Sequence, residues 1–445
     1  MLNDVYRKLK SDMNSWLVIS LLLSLFGFLK ELRPSEPFIY EFLIGEWKNL
    51  TESQVNQEVY PVGTYSYLAQ LIIVFLITDL CRYKPLIIVL GLTGIVVWGM
   101  LLWTTSLLAT QILEVFYGTF SACEVAYFTY IYAKVDKDYY QQVTSHTRAA
   151  ILAGRATSGV MGQLLVSFKV LDYRGLNFIT FGAMITATVW SLFLPSVKKT
   201  IYFHQDTSQQ SSFIEKNISA YKLMWTHFTK GYANKYTIKW SVWWALATCG
   251  FIQVQVYMQP LWTAIVNDPN QNIYNGAVEA VLTILGFLGA LFAGVLKVDW
   301  QTRGELALTC CSLLQGFIML ISSQTQYVYV SYICYIVFGG LYHLTITIAS
   351  SEIAKNIEED SYGLIFGINT FAALLIQTVL TLVVVTGDVG FALAPRQQYF
   401  VYGMFHVVLG FMYIIIGLAS WLASKRDYRR ASTVIPPTTR TVITF

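Results

Sequence analysis

Long apolar runs separated by short polar connections set the pattern of this chain. Runs of about 20 residues, the length that crosses a bilayer as a helix, fall at roughly 15–33, 62–81, 85–104, 108–133, 147–168, 176–196, 240–263, 276–297, 303–323, 328–350, 362–386 and 400–423. The pattern predicts an all-α membrane protein with twelve transmembrane helices. The first run meets Pro34 and Pro37 and then resumes toward Leu43. A helix broken there is one reading, and it places Lys30, Glu31, Arg33 and Glu36 at membrane depth. The longest polar interruption after the first outer loop, 197–239, divides the helices six and six. The expected units are therefore a bundle over 1–196, a cytoplasmic loop over 197–239, a second bundle over 240–424 and a polar, disordered tail over 425–445.

Composition agrees with the pattern. The 445 residues are 55% hydrophobic and 13% charged, with a mean hydropathy of +0.51, which excludes a soluble domain of this length. The first apolar run leads into Lys-Glu-Leu-Arg-Pro instead of a small-residue cleavage site, so it is expected to remain in the protein. The net charge of +4 matters less than its placement. Arg7, Lys8 and Lys10, Arg82 and Lys84, Lys134 and Lys137, Lys198 and Lys199, Lys297 and Arg303, Lys355, and Lys425 to Arg430 mark one side, while the alternate connections carry almost no Lys or Arg. The positive-inside rule then puts both termini in the cytoplasm. Asn49-Leu50-Thr51 is a glycosylation sequon on the opposite, outer side.

Six cysteines lie in or beside the apolar runs without metal-ligand spacing and read as packing residues. There is no P-loop and no metal-spaced His/Cys/carboxylate set, so the sequence offers no enzyme signature, metal site or cofactor. The partners expected are a small molecule and the lipid bilayer, with no nucleic acid and no obligate protein.

A few polar groups inside the apolar runs carry the candidate chemistry. Glu124 lies in a run rich in aromatic residues, with Phe120, Ser121, Tyr127 and Tyr117 at helical spacing around it. An ionised carboxylate at mid-membrane costs roughly 2.5 to 3.5 kcal/mol on insertion scales, so it faces a partner or a water-filled cavity. Acid and rings together suit a cationic heteroaromatic ligand; a structural hydrogen bond to another helix is the alternative. Three readings stand for Arg155: pairing with Glu124 or Glu36, binding an anionic part of a ligand, or snorkelling to the cytoplasmic interface. Asn275 and Glu279 share a face at the start of one run, and either line a cavity or cap and link helices. Gln377 is expected to make an interhelical hydrogen bond. Asp79 with Arg82 and Lys84 reads as a cytoplasmic charge latch for gating.

Several segments together resemble the reduced folate carrier and thiamine transporter family: 26–38 (Phe-Gly-Phe-Leu-Lys-Glu-Leu-Arg-Pro-Ser-Glu-Pro-Phe), 65–68, 78–85, Glu124 to Tyr127, 240–245, 273–280 and 366–371. The resemblance implies a major facilitator fold, in which two six-helix bundles rock about a midplane site, and transport of a water-soluble vitamin across the plasma membrane. In the folate branch an arginine stands where this chain has Glu124, another where it has Gly339, and a lysine where it has Gln377. The thiamine branch has glutamate and glutamine at the positions of Glu124 and Gln377, and its site also uses the positions of Glu36, Trp98, Tyr127 and Asn275. The resemblance thus implies a cationic vitamin such as thiamine. Two departures remain: Gly63 replaces a tryptophan and Arg155 replaces a site tyrosine.

Overall fold

The computed structural model describes residues 15–198, 200–204, 213–266, 272–296, 298–387 and 390–434. Arg7, Lys8, Lys10, Lys199, Lys297 and the tail beyond Val434 lie outside them. The described residues form fourteen α-helices and no strand. The first bundle comprises α1 (Ser15–Lys30), α2 (Ile39–Ile44), α3 (Tyr60–Ile77), α4 (Lys84–Trp103), α5 (Leu107–Lys134), α6 (Tyr140–Ser167) and α7 (Tyr173–Ser191). A helix in the central loop, α8 (Phe213–Gly231), follows. The second bundle comprises α9 (Lys235–Ile265), α10 (Asn275–Val295), α11 (Trp300–Gln324), α12 (Val328–Ala354), α13 (Tyr362–Val384) and α14 (Pro395–Val434). In hydrocarbon only a helix or closed barrel satisfies every backbone group, so apolar runs of this length fold as helices whatever their side-chain pattern.

Eight helices are long and apolar enough to cross a membrane by length and hydropathy alone, and Trp16–Lys30 is a shorter apolar one. The other long bundle helices, α5, α7 and α9, run for 28, 19 and 31 residues. α5 and α9 are more polar because they line the central cavity. Side-chain caps fix several starts: Ser106 accepts from the Ala109 amide at 3.2 Å, Asp172 from Gly175 at 2.6 Å, Asn234 from Tyr236 at 2.9 Å and Asp299 from Gln301 at 3.0 Å.

The first helix is broken, as one sequence reading had it. α1 stops at Lys30, Glu31 to Ser35 form turns, and Glu36–Phe38 make one 3₁₀ turn before α2. Pro34 and Pro37 lack the N–H that a continuous helix would use there. Each bundle has its own apolar core, one around Phe26, Phe120 and Tyr130, the other around Trp243, Phe338 and Tyr399. The bundles meet along α6 against α10 and α3 against α13. At the first seam Gly159 faces Gly276, and a β-carbon on either would lie 2.6 or 2.7 Å from the other's carbonyl oxygen. The backbones touch there because neither has a side chain.

Two expectations need correction. The terminal helix continues to Val434, ten residues past the boundary expected at 424, where a disordered tail had been anticipated. Asp79 is not latched to Arg82. Its carboxylate accepts from the Tyr83 hydroxyl (2.6 Å), the Thr200 hydroxyl (2.7 Å) and the backbone amides of Ile201, Tyr202 and Phe203 (3.2, 3.2 and 2.8 Å). Three convergent amides satisfy a carboxylate better than one exposed arginine does, so Asp79 ties the start of the central loop to the end of α3.

Candidate functional site

A cavity of about 540 Å³ lies between the bundles, and its lining comes from both. Seven residues of α5 face it, Thr110, Leu113, Glu114, Tyr117, Phe120, Ser121 and Glu124, at the alternating three- and four-residue spacing of one helix face. The turn after α1 contributes Glu31, Arg33 and Glu36, and α6 contributes Arg155 and Ser158. The second bundle supplies mostly neutral groups, among them Thr248, Phe251, Gln255, Tyr342, His343 and Gln377, with Glu279 its one carboxylate in the lining.

The charges of the first bundle form a connected network. Glu31 is fully buried and is the hub: Lys30 and Arg33 (2.7 Å) pair with it, as does Arg155 Nε (2.8 Å). Lys30 also pairs with Glu124, and Arg33 with Glu36 at 2.9 Å. Breaking α1 after Lys30 frees the chain to direct Glu31, Arg33 and Glu36 toward the cavity, and the pairing offsets the desolvation that isolated charges would suffer. The Tyr117 hydroxyl donates to Glu36 at 3.2 Å, and the Arg33 guanidinium lies 5.8 Å from the Trp98 ring and 5.6 Å from the Phe120 ring. The Trp98 indole N–H donates to Ser35 at 3.2 Å.

This network revises the pairing expected of Arg155. Its partner is Glu31, while Glu124 and Glu36 are engaged by Lys30 and Arg33. The Arg155 side chain remains 40% exposed on the cavity wall. Tyr127 does not reach the cavity: it is buried behind Glu124, packed on Phe26, and its hydroxyl donates to the Leu23 carbonyl at 2.9 Å. Asn275 is also withdrawn. It is the first residue of α10, buried, and accepts from the Tyr332 hydroxyl at 3.2 Å. Glu36, Trp98, Glu124, Arg155 and Gln377 are brought together around the cavity.

Glu114 and Tyr117 are the lining groups that reading from Glu124 underweighted. Glu114 has no ion pair among the described residues, and it occupies the space beside Gly63, where a β-carbon would collide with its carboxylate. The signal was present in the sequence, since Glu114, Tyr117, Ser121 and Glu124 follow helical spacing. Glu279 likewise lacks an ion pair among the described residues and accepts a 2.9 Å hydrogen bond from the Tyr335 hydroxyl. Lys30, Arg33 and Arg155 thus offset three of the five lining carboxylates, and Glu114 and Glu279 remain in excess.

Comparison with known proteins fits this arrangement. Residues 14–401 match the reduced folate carrier family. The chain belongs to that family. It is 39% identical to thiamine transporter 1 of Mus musculus over 92% of this chain and 91% of that one, and 37% identical to thiamine transporter 2 of Homo sapiens over 93% and 92%. Folate transporter 1 of Caenorhabditis elegans is 36% identical over 95% of this chain and 97% of its own length. Among solved structures, the nucleoside transporter NupG superposes with a TM-score of 0.59 at 13% identity, covering 91% of this chain and 99% of that one. The POT family transporter PepTSo gives 0.63 at 12%, covering 92% and 98%. At such identities the likeness concerns the fold, which is the two-bundle major facilitator fold.

Proposed function

We propose that this chain is a secondary transporter that carries thiamine, or a closely related cationic water-soluble vitamin, across the plasma membrane by alternating access, and that it is not an enzyme. The observation that carries the reading is the surplus of carboxylate in the cavity. Glu114 and Glu279 have no ion pair among the described residues, so a positively charged ring would give them one. A folate-like anion would meet both carboxylates, at about 4 kcal/mol per unit-charge contact at 4 Å and an effective dielectric of 20. The relatives named thiamine transporters support the same choice.

In this reading Glu114 and Glu279 provide the carboxylates free of an ion pair among the described residues, Glu36 and Glu124 face the ligand from within their pairs with Arg33 and Lys30, and Trp98 and Tyr117 provide ring faces. Arg155 and Gln377 shape specificity from either side. Tyr127 and Asn275 support the wall from behind. Both termini are cytoplasmic, which leaves Asn49, exposed in a tight turn with φ 52°, on the extracellular side as the glycosylated residue. One observation favours a second reading, a reduced-folate anion carrier: the exposed guanidinium of Arg155 on the cavity wall. Side-by-side uptake of labelled thiamine, pyridoxine and 5-methyltetrahydrofolate in cells lacking endogenous carriers separates the two. Saturable thiamine uptake is expected; saturable folate uptake without thiamine uptake would replace the first reading by the second, and binding without uptake would make the protein a sensor.

A further inference from the structure

The break that brings Glu36 into the cavity leaves backbone groups to satisfy. In a continuous helix the Tyr40 N–H would bond the Glu36 carbonyl; here Tyr40 is the second residue of α2, one of the orphan donors of a helix start. The side-chain amide of Gln259, from α9 of the other bundle, is inserted between them. Its Oε1 accepts from the Tyr40 N–H at 3.0 Å, and its Nε2 donates to the Glu36 carbonyl at 3.0 Å. Gln259 is buried, lines the cavity, and precedes Pro260, whose missing N–H relaxes α9 at that level. One turn on, the Thr263 hydroxyl donates to Glu41 at 2.9 Å. The Glu36 carbonyl is therefore shared between the local Ile39 N–H and the Gln259 amide of the second bundle, and its carboxylate is held by Arg33 and Tyr117 of the first.

We propose that Gln259 is a positioning residue that splices the broken first helix and holds Glu36 in the site only while the outer ends of the bundles are together. When those ends part, the amide withdraws, the start of α2 loses its cap, and Glu36 loses its one backbone bond to the second bundle while keeping the local bonds to Arg33 and Ile39. Closure and the charge of the site are coupled through one side chain. The role assigned to Glu36 rests on the transport reading above; the clamp itself does not.

The test uses the full-length chain in cells lacking endogenous thiamine uptake, with surface amount measured for every variant. Two readouts are followed: thiamine KM, and labelling by a membrane-impermeant maleimide of a cysteine introduced as Leu43→Cys on the cavity-facing side of α2. Gln259→Leu removes both hydrogen bonds and is expected to speed labelling and raise KM by about tenfold, the effect of one to two neutral hydrogen bonds on a two-state balance. Gln259→Glu keeps the shape and the acceptor for Tyr40 but opposes the Glu36 carbonyl, and is expected to act in the same direction; it carries the test should the leucine variant fail to reach the surface. Thr263→Val removes the bond to Glu41 and the 3.1 Å contact with the Gln259 carbonyl but leaves both side-chain bonds of Gln259 in place, and should speed labelling by less than about threefold with KM unchanged. Labelling and KM of both Gln259 variants within twofold of the parent would overturn the proposal, and faster labelling with unchanged KM would overturn the hold on Glu36. Should no vitamin be taken up, the transport reading fails, and the labelling rates alone decide the clamp.

Discussion

The two walls of the cavity differ in kind. The first bundle presents Glu31, Arg33, Glu36, Glu114, Glu124 and Arg155, with Lys30 behind them, whereas the second presents rings, hydroxyls and amides with Glu279 alone carrying charge. The difference traces to backbone. α1 is interrupted at Pro34 and Pro37 and can direct a run of charged side chains inward, while α9 continues through Pro260 as one 31-residue helix that buries Trp243, Tyr257 and Trp262. Among the described residues the charged wall keeps one carboxylate without an ion pair, Glu114, and the mostly neutral wall another, Glu279, so both favour a cation, while the ion-pair network belongs to the charged wall alone.

The comparison breaks most visibly at the hub. Glu31→Gln leaves Lys30, Arg33 and Arg155 competing for Glu36 and Glu124, and losing one member of a buried charge network costs about 3 to 5 kcal/mol. A large fall in surface amount and in the melting temperature of the purified protein is expected. Glu114→Gln removes a carboxylate that has no ion pair among the described residues, so thiamine uptake should fall by about tenfold or more in kcat/KM while surface amount is kept. Glu124→Gln should cost less, because Lys30 already offsets that charge and retains Glu31 as its partner. On the neutral wall, Tyr342→Phe removes the 3.0 Å contact with Thr248 and should change KM by about threefold without altering preference between cation and anion. The smallest effect is expected behind the wall. Tyr127→Phe loses the bond to the Leu23 carbonyl, about 1 kcal/mol of stability, with KM unchanged.

Much of this was legible in the sequence. Apolar runs gave the helices because a bilayer leaves the backbone no other choice, and the pair of prolines marked the break after Lys30. Glu36, Trp98, Glu124, Arg155 and Gln377 could be placed in one site. Their partners could not, since Lys30–Glu124 and Arg155–Glu31 join residues 94 and 124 positions apart. Tyr127 was misplaced for a local reason: at that level of α5 the neighbouring α1 packs against it, so the cavity-facing stripe ends at Glu124. Asp79 was read toward Arg82 because three of its five partners are backbone amides, which leave no trace in residue type, and a fourth, the Thr200 hydroxyl, lies 121 positions away.

The central claim is that the uncompensated acid of the charged wall selects the substrate's sign. Thiamine uptake by Glu114→Gln and Glu124→Gln, compared at equal surface amounts, tests it most directly. The account predicts that Glu114→Gln loses kcat/KM more severely; a larger loss in Glu124→Gln with normal uptake by Glu114→Gln would contradict it.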